Sequence, residues 1–156
     1  MTPILRSTLL VTFLLVLFEF HAILSHAQTS DEHVKQDLLK LEQALITGVR
    51  AHDTTALKDI VANEYQLVFS KLEPVRREQW LQKCLLWSFD SATINRVSLT
   101  SWEQIAVFRS LQNFYNLVIG GNPSIAKTEA WVTDLWIKRD NRWQLVTRVS
   151  ERLPQK

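Results

Sequence analysis

"WVTDLWIKRDNRWQLVTRVSERL", residues 131–153, decides how this chain is read. Two runs of alternating apolar and polar residues flank a charged turn. Alternation at period two sends successive side chains to opposite faces of a sheet, so both runs read as half-buried strands. With Asp140 and Asn141 as the central residues of a tight turn, Arg139 faces Arg142. Counting outward sets Trp136 opposite Leu145, Asp134 opposite Thr147 and Val132 opposite Val149. A carboxylate therefore stands in a row of apolar positions, and burying one is costly unless a charge or a donor meets it.

The preceding strand supplies an expected partner. Across the "GGNP" turn at 120–123, one consistent register pairs Val107 with Trp136, Arg109 with Asp134 and Leu111 with Val132. One face then collects Val107, Leu111, Val132, Trp136, Trp143, Leu145 and Val149, interrupted by Arg109, Asp134 and Thr147. Two readings stay open for that polar insertion. It is either a structural ion pair near a sheet edge or dimer surface, or the floor of a pocket where a few polar groups break an apolar lining. Opposite Arg109, Asp134 is expected to be ionised.

Working back toward the N-terminus, the period stays at two as far as Ala92, giving strands near 92–100, 104–118, 125–138 and 142–152. Before that it is helical. Val34, Leu38, Leu41, Leu45 and Val49 form one helix face, opened by a capping box from Thr29 to Glu32 and ending near Arg50. "AHDTTALKDIVAN" (51–63) restarts with Asp53 as N-cap and Leu57, Ile60 and Val61 inward. "EYQLVFS" (64–70) alternates as a strand with Tyr65, Leu67 and Phe69 on one side. "PVRREQWLQKCLLW" (74–87) then puts Trp80, Cys84 and Trp87 at helical spacing. Three helices followed mainly by a meander make an α+β domain with helices on one face of a curved sheet.

The 156 residues are one domain's worth of chain. Residues 1–27 read as a signal peptide: Arg6 supplies the positive start, "STLLVTFLLVLF" the apolar run, and "SHA" a small-x-small cleavage site. The domain is then 28–156, secreted or periplasmic, with no stable membrane anchor after cleavage. A net charge of +2 without a basic block argues against nucleic acid or an anionic membrane as partner. The single cysteine, Cys84, excludes an intrachain disulfide and sits in an apolar helical setting, as a buried thiol would.

The order of helix, "AHD" restart, short helix, "EYQLVF" strand, "RREQWL" helix and a meander closing on "RDNRWQLVTRVS" resembles the nuclear-transport-factor-2-like superfamily. It looks most like the SnoaL-like branch that contains domain of unknown function 4440. The resemblance covers roughly residues 33–152. It implies a cone-shaped domain, three helices wrapped by a strongly curved, mainly antiparallel, cystatin-like sheet around a cavity, with frequent dimerisation through the sheet's outer face. The superfamily includes isomerases, dehydratases, cyclases, binders and association domains, so fold does not fix function. The isomerase pattern matches at one position of three. Its general base falls on Phe69, its oxyanion tyrosine on Leu45, and only its second oxyanion acid finds a counterpart, Asp134.

No clustered metal ligands, nucleophile elbow, phosphate loop or zinc-protease helix is present. His33 and Asp37 share a helix face as an exposed pair, and no cofactor or catalytic residue is expected. The aromatic residues carry more information. Trp87 and Trp143 read as core, Trp102 and Trp131 fall on stripes that suit a dimer interface, and Tyr65, Trp80 and Trp136 fall on inward stripes. The leading expectation is an exported small-molecule-binding domain, homodimeric, whose pocket for a small apolar molecule is lined by Tyr65, Trp80, Arg109, Asp134, Trp136 and Thr147. The alternatives are a lyase, isomerase or hydrolase of a small hydrophobic substrate using Asp134, and a non-catalytic association module.

Overall fold

A computed structural model describes residues 31–69, 72–122 and 125–154. The signal segment and Thr29 of the capping box lie outside the described residues. The chain divides into two units after Val34, and the fold below is that of the second. No described helix is long and apolar enough to cross a membrane.

Within that unit, helix α1 (35–51) buries Leu38, Glu42, Leu45 and Val49. Asp53 caps α2 (Thr54–Ile60), its carboxylate accepting from the Thr55 and Ala56 amides, as an N-cap acid does. Gly48 lets the two helices approach: a Cβ there would lie 2.8 Å from Leu57 Cδ2. Strand β1 (Val61–Phe69) follows directly, then β2 (Val75–Arg76) and α3 (Arg77–Cys84), which buries Trp80, Leu81 and Cys84. Trp87 leaves the helical stripe predicted for it and starts a two-residue strand, β3 (Trp87–Ser88). The meander β4 (Ser91–Trp102), β5 (Ile105–Ile119), β6 (Ile125–Arg139) and β7 (Arg142–Arg152) lies within two or three residues of the ranges read from periodicity.

The seven strands form one strongly curled sheet in the order β2-β1-β7-β6-β5, with β3 and β4 both pairing β5. All pairs are antiparallel except β1 with β7. The concave face carries Tyr65 and Leu67 of β1, Ala106 and Phe108 of β5, Val132 and Trp136 of β6, and Trp143 and Leu145 of β7, all buried. This is the α+β architecture expected from the pattern.

Two register assignments need correction. The β6–β7 turn forms as read, with Asp140 and Asn141 both at positive φ, Arg139 opposite Arg142 and Trp136 opposite Leu145. A bulge at Val146 then shifts the ladder, so Asp134 faces Arg148 and Val132 faces Ser150. The β5–β6 pairing is one residue off throughout: Trp136 faces Ala106, Asp134 faces Phe108 and Val132 faces Ser110. A one-residue slip reverses every side chain of a strand. Arg109, Val107 and Leu111 therefore belong to the convex face, and past the bulge Thr147 and Val149 do too.

Candidate functional site

Under the helices, the concave face holds a buried ionic cluster. Asp134 is fully buried and accepts two hydrogen bonds from Arg148, Nε to Oδ1 at 2.8 Å and Nη2 to Oδ2 at 2.9 Å. This bidentate fork is the strong form of the pair. Arg148 Nη2 also donates to Glu42 Oε2 of α1 at 2.5 Å. Gln112 of β5 joins from the other side, its Nε2 3.2 Å from the same Glu42 oxygen and 3.3 Å from Ser110 Oγ. One guanidinium thus faces two carboxyl groups, with three strands and a helix converging on it.

The charge distribution follows from this geometry. Burial pushes the Glu42 carboxyl well above its usual range; Arg148 opposes, while the charge of Asp134 and a hydrogen bond to it add to the rise. Burial works against the charge on Arg148, but Asp134 and Glu42 outweigh it and hold the guanidinium protonated. Glu42 is therefore the carboxyl that its surroundings drive toward the protonated form. Tyr65 packs edge-on against Trp80, ring centroids 4.9 Å apart, and burial keeps its hydroxyl un-ionised. Burial pushes the Cys84 thiol up to about 12, which leaves it an inert core group.

A cavity of about 160 Å³ adjoins the cluster. Its walls are apolar: Leu45 and Val49 of α1, Leu67 and Phe69 of β1, Trp80 of α3, Phe114 and Leu117 of β5, and Ala130 and Val132 of β6. Gln112, Thr128, Arg148, Ser150 and Arg152 supply the polar part. The last three share one row because the Val146 bulge turns the even-numbered residues of β7 inward.

Of the six residues singled out from sequence, Trp80 lines the cavity. Tyr65, Asp134 and Trp136 are buried beside or beneath it without forming its wall. Arg109 and Thr147 lie on the opposite face of the sheet, and the Arg109 guanidinium stacks 4.3 Å over the Trp131 ring. The expected guanidinium does meet Asp134, but it comes from Arg148. Glu42, Gln112 and Arg148 escaped the sequence reading. Glu42 had a legible signal, an acid four residues after Leu38 and three before Leu45 on the inward stripe.

No family model and no curated protein matches this sequence. Solved structures do match. A protein from Cytophaga hutchinsonii described as NTF2-like superposes with a TM-score of 0.70 at 11% identity, over 76% of this chain and 98% of that one. The fold is the nuclear-transport-factor-2-like one. A ketosteroid isomerase-like protein from Erwinia carotovora atroseptica gives a TM-score of 0.62 at 13% identity, over 77% of this chain and 96% of that one. The association domain of CaMKII from C. elegans gives 0.64 at 13%, over 78% and 97%. Identities this low speak for fold alone.

Proposed function

We propose that this is an exported small-molecule-binding domain of the nuclear-transport-factor-2-like superfamily, in its SnoaL-like branch. The observation that carries the reading is the cavity itself. Apolar and aromatic walls converge on a few fixed polar groups, the usual make-up of a ligand site, and Asp134 and Glu42 hold Arg148 rigidly at its edge. Export rests on the sequence of residues 1–27. Native mass spectrometry of the gently purified protein tests the binding. A retained small molecule is expected, and Ala130→Leu, which fills the cavity, should expel it while circular dichroism shows the fold kept. A protein that holds no ligand and takes up no small apolar probe would overturn the reading.

Catalysis through Asp134 is not favoured. Its carboxylate lies behind Arg148 and does not reach the cavity, and Phe69 and Leu45, at the other positions where the isomerase resemblance wants polar groups, present apolar walls.

A second role, homodimerisation, has its own observation. The convex face exposes Trp102 to 59%, Ile105 to 43% and Val149 to 42%, with half-buried Trp131, Val107 and Leu135 around them. Exposed apolar side chains grouped on one sheet face favour an association surface, and the likeness to an association domain agrees with it. Light scattering at tens of micromolar should give a dimer mass, reduced to the monomer by Val149→Lys. A wild-type monomer mass would remove the proposal.

A further inference from the structure

The polar lining of the cavity sorts by accessibility. Gln112 Oε1 and Thr128 Oγ1 are occluded and without partners, so they present nothing to an occupant. The groups that remain lie on one row of β7: Arg148, Ser150 and Arg152. Arg148 commits Nε and Nη2 to Asp134 and Glu42, which leaves Nη1. Ser150 stands half-buried between the two arginines. All three side chains can donate, and the two arginines can do nothing else. An occupant that satisfies the row must accept.

The charge along the row is uneven. No Asp or Glu lines the cavity. Arg148 is met from behind by two carboxyl groups, Asp134 and Glu42. Among the described residues, the Arg152 side chain meets no ion-pair or hydrogen-bond partner. Its neighbour Glu151 belongs to the other face of the sheet, since successive side chains of a strand alternate. Arg152 itself stands level with Ala130 of β6 and, one strand further, Gln112 of β5. The cavity wall thus carries one uncompensated cation.

Position decides how that cation is used. The lining passes from buried Leu67, Trp80 and Val132, through half-buried Phe69, to exposed Ile119 and Arg152. Strands β5 and β7 both run antiparallel to β6, so Ile119 and Arg152 mark the same end of the sheet, where the cavity opens. An anion held there keeps part of its hydration, and its pairing costs less desolvation than at the closed end. The closed end is apolar, and a void of about 160 Å³ is the size that accommodates a single benzene-like ring.

We infer that the cavity takes a small monocarboxylate with a ring-sized apolar body, the body against Trp80 and Val132 and the carboxylate at the open end on Ser150 and Arg152. This rests on the ligand-binding reading above and specifies its ligand. Arg152 gives a carboxylate a charge-assisted hydrogen bond, and gives an amide or alcohol of the same shape a weaker one. A single free cation suits a monoanion, because a second negative charge would find no counterpart on the wall.

The test uses phenylacetate, phenylacetamide and toluene as probes on the intact domain at neutral pH, read by ligand-observed NMR titration. At low ionic strength phenylacetate should bind at least about fivefold tighter than phenylacetamide. The margin should shrink in about 0.5 M salt, as it does for a pair open to solvent. Arg152→Gln, at an exposed position, should bring phenylacetate down to the amide and leave the amide unchanged. Arg142→Gln makes the same charge change at the exposed start of β7 and should leave the margin intact. Phenylacetamide binding as tightly as the acid, a margin that survives Arg152→Gln, or one lost equally in Arg142→Gln overturns the ligand class and leaves the binding function standing. Failure of every probe, toluene included, overturns both.

Discussion

The β6–β7 hairpin has two halves that behave differently. Between the turn and Trp136 the strands keep the register that turn chemistry and alternation dictate, with Arg139 on Arg142 and Trp136 on Leu145. Beyond Val146 the same two strands are one residue out of step, and Asp134 meets Arg148 where Thr147 was expected. The turnward half is held by core side chains, Trp136, Trp143 and Leu145, whose only requirement is to point inward. The distal half carries a buried carboxylate, whose requirement is a partner. A single unpaired residue exchanges an inward threonine for an inward arginine, and that satisfies it.

The largest expected effect breaks the distal half. Arg148→Met leaves Asp134 buried and uncompensated, and the domain should lose about 3–5 kcal/mol in urea denaturation. Thr147→Val, one residue earlier but on the convex face, should change stability by no more than about 0.5 kcal/mol. Equal effects from the two substitutions would mean that the bulge does not place the arginine inward. The double variant Asp134→Leu with Arg148→Met sharpens the point: with both charges gone, most of the loss should be recovered.

A smaller effect concerns the proton. Burial raises the Glu42 carboxyl well above its ordinary value of 4.5, with Asp134 adding and Arg148 opposing. In the unfolded chain Glu42 ionises near the ordinary value, while in the folded chain it does so only at higher pH. Its contribution to stability is therefore full below about 4.5 and is lost progressively as pH rises toward the folded value. Glu42→Gln cannot titrate and keeps an amide where the protonated carboxyl was. The variant should show a flatter stability profile above pH 5, and equal or exceed the wild type at pH 8, by on the order of 1 kcal/mol. Chemical denaturation across pH 4–9 checks it, and a wild-type profile no steeper than that of the variant would contradict the assignment of the proton.

Much of this fold was legible because its signals are local. The 3.6-residue spacing from Leu38 to Val49, the Asp53 cap, and the paired positive-φ residues Asp140 and Asn141 each act within a few residues. The pocket was not legible, because its membership depends on register. Nothing in "LVTRV" marks a bulge: the alternation runs on through Val146 without a glycine or proline, and Thr147 and Arg148 are equally plausible as inward groups. The "GGNP" connection left the β5–β6 pairing free by one residue, enough to turn Arg109 outward and Gln112 inward. Glu42 could have been found. Treated as a member of the inward stripe rather than an interruption, it would have called for a cation from the sheet.

A small expected effect at Arg109 separates the two registers most cleanly. In the register first read from sequence, Arg109 is the sole counter-charge of Asp134, and Arg109→Ala would strand a buried carboxylate at a cost of about 3–5 kcal/mol. In the structure, Arg109 stands on the convex face over Trp131, where an exposed cation–π contact contributes about 0.5–1 kcal/mol. The substitution should therefore lower stability by no more than about 1 kcal/mol and leave small-molecule retention in native mass spectrometry unchanged. Its readable consequence lies on the other side of the sheet: if the convex face pairs two copies, removing the guanidinium from beside Trp131 alters the monomer–dimer equilibrium, measurable by sedimentation. A large loss of stability together with loss of ligand would instead put Arg109 back beside Asp134 and shift β5 by one residue along its whole length.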